Sequence, residues 1–324
     1  MPIRILSGAQ SSGKLHLGNY FGAIKQQIEL QQQADAELFY FIADFHALTT
    51  IHDPATMRAN VRDAAIDYLA LGLDPKRSTF FRQSDVPEVT ELAWLLSTTT
   101  GKGLLERAHS YKDKVAKGFD ASMGLFYYPV LMAADILVFR ANFVPVGQDQ
   151  VQHIEMAQDM AQSWNHAFKT DWLVRPEPRL SSTPRVVGVD GEKMSKSYKN
   201  AIELQMTGKP LKKVVMSIKT DSTPVEDPKN PDTCNVFSLY TLFATPEERD
   251  ALAARYRQGG MGYGEAKLAL LEKIETYFAP YRARRAELVA NPAEVDEVLR
   301  DGAARARAVA QATMEEARKI VGLR

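Results

Sequence analysis

The sequence predicts an α/β protein: a doubly wound parallel sheet over residues 1–200, followed by a smaller all-helical domain over 201–324. Three observations predict it. Strand-like runs alternate with helix-like runs through the first half of the chain. The strand signal disappears after Asn200. Glycine and polar residues recur where a strand gives way to a helix, which is the binding edge of such a sheet.

Pro2 to Leu6 alternate apolar and polar residues, and Gly8 breaks the pattern, so a first strand is expected to end in a glycine-containing turn. Tyr20, Ile24, Ile28 and Leu30 recur at near-helical spacing, which starts a helix near Gly18-Asn19. A strand, a small-residue turn and a helix N-terminus offer free N–H groups and the positive dipole end to a phosphate. Glu37 to Ala43 reads as a buried strand, with His46 just past its C-terminal end. His46 there is either a pocket-lining residue or a capped, satisfied histidine.

Asp53-Pro54 reads as N-cap and first helical residue of a helix running to about Leu73, with Gly72 loosening its end. Thr79 to Phe81 is a third strand and Pro87 to Leu96 a helix. Gly101 to Lys117 carries Lys102, Arg107, His109, Lys112, Lys114 and Lys117 against Glu106 and Asp113. It reads as a solvated face or as a patch for RNA phosphates. Tyr127 to Phe139 is an apolar helix with Asp135 in its middle. A buried carboxylate needs donors, from an arginine or backbone N–H of the fold or from a ligand. The strand Phe143–Val146 then leads into Gly147-Gln148-Asp149-Gln150, again strand, glycine and a polar helix start.

Beyond Asn200, Leu211 to Ile218, Val236 to Phe243, Pro246 to Arg257 and Tyr263 to Phe278 read as helices, with Thr220 to Thr233 a polar, proline-containing loop. From Pro292 onward runs a long amphipathic stretch with Val295, Val298, Leu299, Val309 and Ile320 on its apolar side. Arg282, Arg284, Arg285, Arg300, Arg305, Arg307 and Arg318 are interleaved with acids: a salt-bridged surface or an RNA contact.

The hydrophobic content of 45% and charged content of 25% suit a globular protein with a proper core. Net charge is +0, so any nucleic-acid contact must come from local patches. The single cysteine, Cys234, excludes an internal disulfide and fits a reducing compartment. No apolar run is long enough to span a membrane, and the chain enters a strand at once, leaving no room for a signal peptide. A cytoplasmic location is expected.

Two stretches carry the chemistry. Gly8-Ala9-Gln10-Ser11-Ser12-Gly13-Lys14 matches the phosphate-loop spacing up to its lysine, but Leu15 stands where Ser or Thr must hold magnesium. That reading is set aside. His16-Leu17-Gly18-Asn19 follows, and far downstream comes Lys193-Met194-Ser195-Lys196-Ser197. The second string places two lysines around small hydroxyl residues, a mobile cationic loop suited to phosphates and departing pyrophosphate. Alone it could equally be a solvated turn, and His16 alone a satisfied histidine. Together they resemble the two signatures of class I aminoacyl-tRNA synthetases, the second letter for letter and the first with Asn19 in place of its last histidine.

The stretch Tyr128-Pro129-x-Leu131-Met132-Ala133-Ala134-Asp135-Ile136-Leu137 narrows the resemblance to bacterial-type tryptophanyl-tRNA synthetases. Gly18-Asn19-Tyr20-x-Gly22-Ala23 and Gly147-x-Asp149-Gln150-x-x-His153-Ile154-Glu155 agree, and the similarity runs from Ser7 to Gly322-Leu323. The resemblance implies a Rossmann-type catalytic domain and a helical domain that recognises the tRNA anticodon region, with the last helix able to pack back on the catalytic domain. It implies that Asp135 accepts the indole N–H of tryptophan, which suits indole as a donor only. Met132 would supply an adaptable wall, His46 would line the pocket, and Tyr128 and Gln150 would meet the substrate ammonium. ATP would meet Gln10, Ser11, Ser12, Gly18, Asn19, Gly147, Gln148, Asp149, Val186 and the loop Lys193, Met194, Ser195, Lys196 and Ser197. Val186 would do so from a strand preceding the loop.

His16, Lys193 and Lys196 would carry the catalytic charge stabilisation, and Gly18 would let adenosine approach the backbone. Magnesium (Mg2+) would travel with ATP rather than occupy a protein cage, and a homodimer acting on tRNA(Trp) is implied. Two positions depart from relatives: Leu6, where some carry an aromatic, and Gln148, where several carry an acid. The rival readings are a tyrosyl-tRNA synthetase, a cofactor adenylyltransferase and a catalytically retired paralogue. The Met132–Asp135 run does not suit a phenol, and the long helical C-terminal region does not suit an adenylyltransferase.

Overall fold

The computed structural model describes residues 3–9, 13–33, 35–108, 111–112, 116, 118, 121–180 and 186–323. Among these residues five strands form one parallel sheet: β1 (Ile3–Ala9), β2 (Ala36–Ile42), β3 (Ser78–Arg82), β4 (Phe143–Val146) and β5 (Glu177–Leu180), in the order β3-β2-β1-β4-β5. The longer helices are α1 (Pro54–Ala70), α2 (Glu88–Ser97), α3 (Met123–Val138), α4 (Val151–Ala167), α5 (Gly208–Met216), α6 (Asn235–Tyr240), α7 (Pro246–Gln258), α8 (Tyr263–Ala290) and α9 (Pro292–Ile320).

The chain forms two compact units. The first holds Met1–Gly13, Gln27–Ser181 and Leu288–Arg324; the second holds Lys14–Gln26 and Ser182–Glu287. The boundary expected at residue 200 falls inside the second unit. The second unit also takes in the His16 stretch, because that stretch pairs with residues after the lysine loop rather than with the sheet.

In the first unit the strand order reverses at β1, which places a crevice beyond the C-terminal ends of β1 and β4. β1 does not end at Gly8, as the sequence suggested, but pairs with β2 through Ala9. Glycine is needed there because a Cβ would lie 2.8 Å from the Phe41 ring. β5 carries no sequence signal. It is a polar, exposed edge strand containing Pro178, a residue that edges tolerate. α3 begins earlier than expected, where the Ser122 hydroxyl caps it by accepting from the Leu125 N–H at 3.2 Å. The core gathers Leu6, Phe39, Phe81, Phe139, Val144 and Trp164 with the inner faces of α2, α3 and α4. The Phe39 and Phe139 rings stack at 4.8 Å.

α9 packs on β3, α2 and α3, and its buried side includes the small residues Gly302, Ala303, Ala306, Ala310 and Ala317 besides Val295 and Leu299 of its sequence pattern. Three of its arginines are committed to protein partners. Arg305 donates to Pro75 O at 2.6 Å, Arg307 pairs with Glu88 at 3.0 Å, and Arg318 pairs with Glu91.

In the second unit the helix after His16 is interrupted. Leu17–Asn19 is α-helical, Tyr20–Ile24 forms a π turn, and Lys25–Leu30 resumes the α-helix. Tyr20 and Phe21 pack edge-on against Phe243, Tyr277 and Phe278, and the Tyr20 and Tyr277 hydroxyls lie 2.9 Å apart. The proline-containing loop after Thr220 wraps around the buried Lys229, whose ammonium donates to the carbonyls of Pro224 at 2.6 Å and Asp227 at 3.1 Å. Among the described residues no helix is long and apolar enough to cross a membrane.

At Gly302 a Cβ would lie 1.8 Å from the Phe80 carbonyl oxygen. Gly→Ala in an unobstructed helix adds about 1 kcal/mol of stability. Gly302→Ala is expected instead to destabilise the protein by about 3 kcal/mol, because β3 and α9 must separate. Equilibrium denaturation of the two proteins checks the sign.

Candidate active site

The first unit collects polar side chains at the C-terminal ends of its strands. His46 lies in the short helix Asp44–Ala47 after β2, and Gln83 in the 3-10 turn Gln83–Asp85 after β3. Gly147 and the turn Gln148–Gln150, which contains Asp149, follow β4. Asp135 sits in the middle of α3 and is only 2% exposed. Burial pushes its carboxyl above the usual range, and hydrogen bonds from His46 and Gln83 act against that.

His46 Nε2 lies 2.8 Å from one carboxylate oxygen, and the Gln83 amide donates to both oxygens at 2.8 and 2.9 Å. The partners are therefore side chains from two strand ends, not the arginine or backbone N–H anticipated as the fold's own donors. Gln83 is itself oriented. Its carbonyl oxygen accepts from the Phe45 N–H at 3.1 Å, so its NH₂ must face Asp135. Asp44 completes the clip by accepting from the Ser84 N–H at 3.0 Å.

The sequence reading missed Gln83, Asp44 and Ser84. The available signal was position alone: polar residues directly after strands at the binding edge. A second pair stands beside the first, with the Tyr128 hydroxyl 2.7 Å from His153 Nε2 and the Tyr128 ring edge-on to His46 at 6.1 Å. Met132 is half-buried and packs on the core cluster.

The second unit brings the two signature stretches together. Leu17 N–H donates to Ile202 O at 3.0 Å and Leu204 N–H to Leu15 O at 2.9 Å, an antiparallel stitch. The Gly18 N–H points at Met194 Sδ at 3.4 Å. A Cβ at Gly18 would lie 3.0 Å from the His16 imidazole and 3.4 Å from Met194 Cβ, so any side chain there would press on both. The Asn19 side chain accepts from the His16 N–H at 3.1 Å, which uses it as a cap. Lys14 pairs with Glu203 at 3.5 Å on the surface.

Lys193 forms a bridge with Val187 across the Asp190-Gly191 turn. Ser195 and Ser197 share a hydrogen bond of 2.8 Å, and Lys196–Tyr198 form a 3-10 turn. Val186 is buried but lies on no strand; it precedes that single bridge, and its carbonyl accepts from the Met194 N–H at 3.0 Å. Gln10, Ser11 and Ser12 lie outside the described residues, as do His109, Asp113, Lys114 and Lys117 of the basic stretch. Among the described residues no group of three or more His, Cys, Asp or Glu side chains is placed to hold a metal ion.

His16 is 6% exposed, and its Nδ1 is buried without a hydrogen-bond partner. Burial, and then the nearby Lys196 ammonium, push the imidazole down to about 4. It is a neutral donor at pH 7.

A family model described as tRNA synthetases class I (W and Y) matches residues 1–279. The chain belongs to this family. Within the class I W and Y synthetases it is similar to bacterial tryptophan–tRNA ligases. It is 54% identical over 322 residues to that of Rhodopirellula baltica, covering 99% of this chain and 100% of the relative. It is 50% identical over 321 residues to that of Fusobacterium nucleatum, covering 99% and 98%. The crystal structure of the Campylobacter jejuni tryptophanyl-tRNA synthetase complexed with ADP and tryptophan superposes with a TM-score of 0.94 at 48% identity, covering 99% of this chain and 100% of that one. In this chain the two stretches that resemble the class I signatures lie in the second unit, and the buried Asp135 with its donors lies in the first.

An imidazole titrating near 6.5 when unfolded and about 4 when folded leaves the unfolded state holding the extra proton between those values. Stability is therefore expected to fall as pH drops through that window, and the His16→Gln variant to lose that part of the slope. NMR titration of the His16 ring should give a midpoint near 4; one near 6.5 would contradict the assignment.

Proposed function

We infer that this chain is a tryptophan–tRNA ligase. It activates L-tryptophan with ATP to tryptophanyl-adenylate and pyrophosphate, then transfers tryptophan to the terminal ribose of tRNA(Trp). The observation that carries the choice of amino acid is the buried Asp135, held by donors from Gln83 and His46. A carboxylate has about four lone-pair sites, so one remains for an indole N–H.

The tryptophan carboxylate attacks the α-phosphate in line and pyrophosphate leaves; the ribose hydroxyl then attacks the activated carbonyl, forming the ester as the acyl–phosphate bond breaks and AMP leaves. No protein nucleophile is needed, so catalysis rests on positioning and charge stabilisation. His16, neutral and with a buried unpartnered nitrogen, is suited to donate to phosphate oxygens as charge builds. Lys193 and Lys196 hold the β- and γ-phosphates and the departing pyrophosphate, and Mg2+ arrives with the nucleotide as part of the substrate.

Asp135 accepts from the indole, Met132 and His46 wall the ring, and Tyr128 and Gln150 meet the ammonium. Gln10, Ser11, Ser12, Gly18, Asn19, Gly147, Gln148, Asp149, Val186, Met194, Ser195 and Ser197 surround ATP. The helices after residue 200 recognise the anticodon region. The enzyme works as a cytoplasmic homodimer.

Tryptophan-dependent ATP–pyrophosphate exchange, run against all the common amino acids, tests this reading. Exchange is expected with tryptophan alone, and Asp135→Ala should lower it about 100-fold or more because Gln83 and His46 lose their partner. Gln83→Glu, which sets a second carboxylate against the first, should raise the KM for tryptophan about tenfold. Exchange with tyrosine would sink the specificity assignment, and no exchange with any amino acid would favour a retired paralogue.

A further inference from the structure

We propose that Asn200 is a positioning residue for the lysine loop, one buried amide that fixes where Lys193 to Ser195 sit against the ATP phosphates. The proposal rests on the ligase reading given above. Asn200 is 2% exposed, and nothing in the two signature strings points to it. Its side-chain NH₂ donates to Asp190 Oδ1 at 2.8 Å and to the Lys193 carbonyl at 3.1 Å. Its side-chain oxygen accepts from the Ser195 N–H at 2.8 Å. Its own carbonyl accepts from the Val189 N–H at 3.0 Å.

The amide therefore spends both donors and its acceptor on the loop, and it ties the segment before the Asp190-Gly191 turn to the segment after it. Lys193 and Ser195 are pinned on either side of Met194, whose own N–H and sulfur are engaged by Val186 and Gly18. The backbone carrying Lys193 has little freedom left.

Two further features serve this contact. Lys199 adopts a left-handed φ of 54°, a conformation uncommon for its type, and the chain turns there to bring Asn200 back under the loop. Gly188 has no room for a side chain, since a Cβ would lie 2.4 Å from the Asn200 amide. Aspartate would keep the shape at position 200 but lose both donors, and it would face the carboxylate of Asp190. Cation placement decides how well a phosphate clamp works, since a displacement of about 1 Å can cost about 100-fold in rate.

The test compares wild type, Asn200→Asp, and the reciprocal swap Asp190→Asn with Asn200→Asp. The swap restores the 190–200 hydrogen bond with the donor on the other side. Asn200→Asp is expected to lower kcat for exchange and ATP affinity about tenfold each, with the KM for tryptophan changed by less than about twofold. The swap should recover about a third or more of the lost kcat, because the 190–200 contact returns and the Ser195 contact is kept throughout, while the Lys193 carbonyl stays without the Asn200 donor.

Wild-type kcat in Asn200→Asp would overturn the proposal. So would no recovery in the swap, or KM for tryptophan rising in step with that for ATP, which marks a general loss of fold. If the wild type itself shows no exchange, the ligase reading fails. Direct ATP titration of wild type and Asn200→Asp then still decides the role of Asn200: a weaker variant upholds it and equal affinity overturns it.

Discussion

A carboxylate placed inside an apolar helix must be met by donors, or it forfeits several kcal/mol and takes up a proton instead. Asp135 imposes that constraint on the first unit. The donors cannot come from α3 itself, whose backbone N–H groups are used by the helix. They come from the ends of β2 and β3, in His46 and Gln83, and those residues are in turn held by Phe45, Asp44 and Ser84. The sheet register, the burial of α3 and the orientation of one glutamine amide are thus parts of one requirement.

The second unit answers a different need. Its signature residues sit far apart in the chain, and a few backbone bonds between 15–17 and 202–204 bring them side by side. Gly18 and Met194 then touch, and the Lys196 ammonium comes close enough to help keep His16 neutral. A neutral imidazole near a lysine can donate a directional hydrogen bond without adding to the positive charge beside it.

Much of the fold was legible in the sequence where residues repeat with a period. β2, β3, α1, α2 and α3 announce themselves through apolar runs, the Asp53-Pro54 start and the turn residues. β5 was illegible because a polar edge strand needs no pattern. Gly8 misled because its reason is the Phe41 ring from another strand, which no local rule contains. The His16 and lysine stretches were legible as strings. Gln83 and Asn200 were not, because an amide gains its role from what surrounds it. The apolar face of α9 was legible in Val295 and Leu299, which are buried, but the close approach of Gly302 to β3 was not, because its reason is the Phe80 carbonyl of another element.

The docking of α9 bears on how the protein is made. Residues 288–324 belong to a unit whose other parts lie in 1–13 and 27–181, so a segment made late is required by one made early. Until α9 is made, the α9-facing side of β3 and the faces of α2 and α3 stay uncovered, with apolar surface open to solvent. The second unit can gather its own segments before translation ends, since all of them precede residue 288. The first unit therefore cannot close before α9 is made, and a chain cut short of α9 leaves the facing side of β3 without its cover.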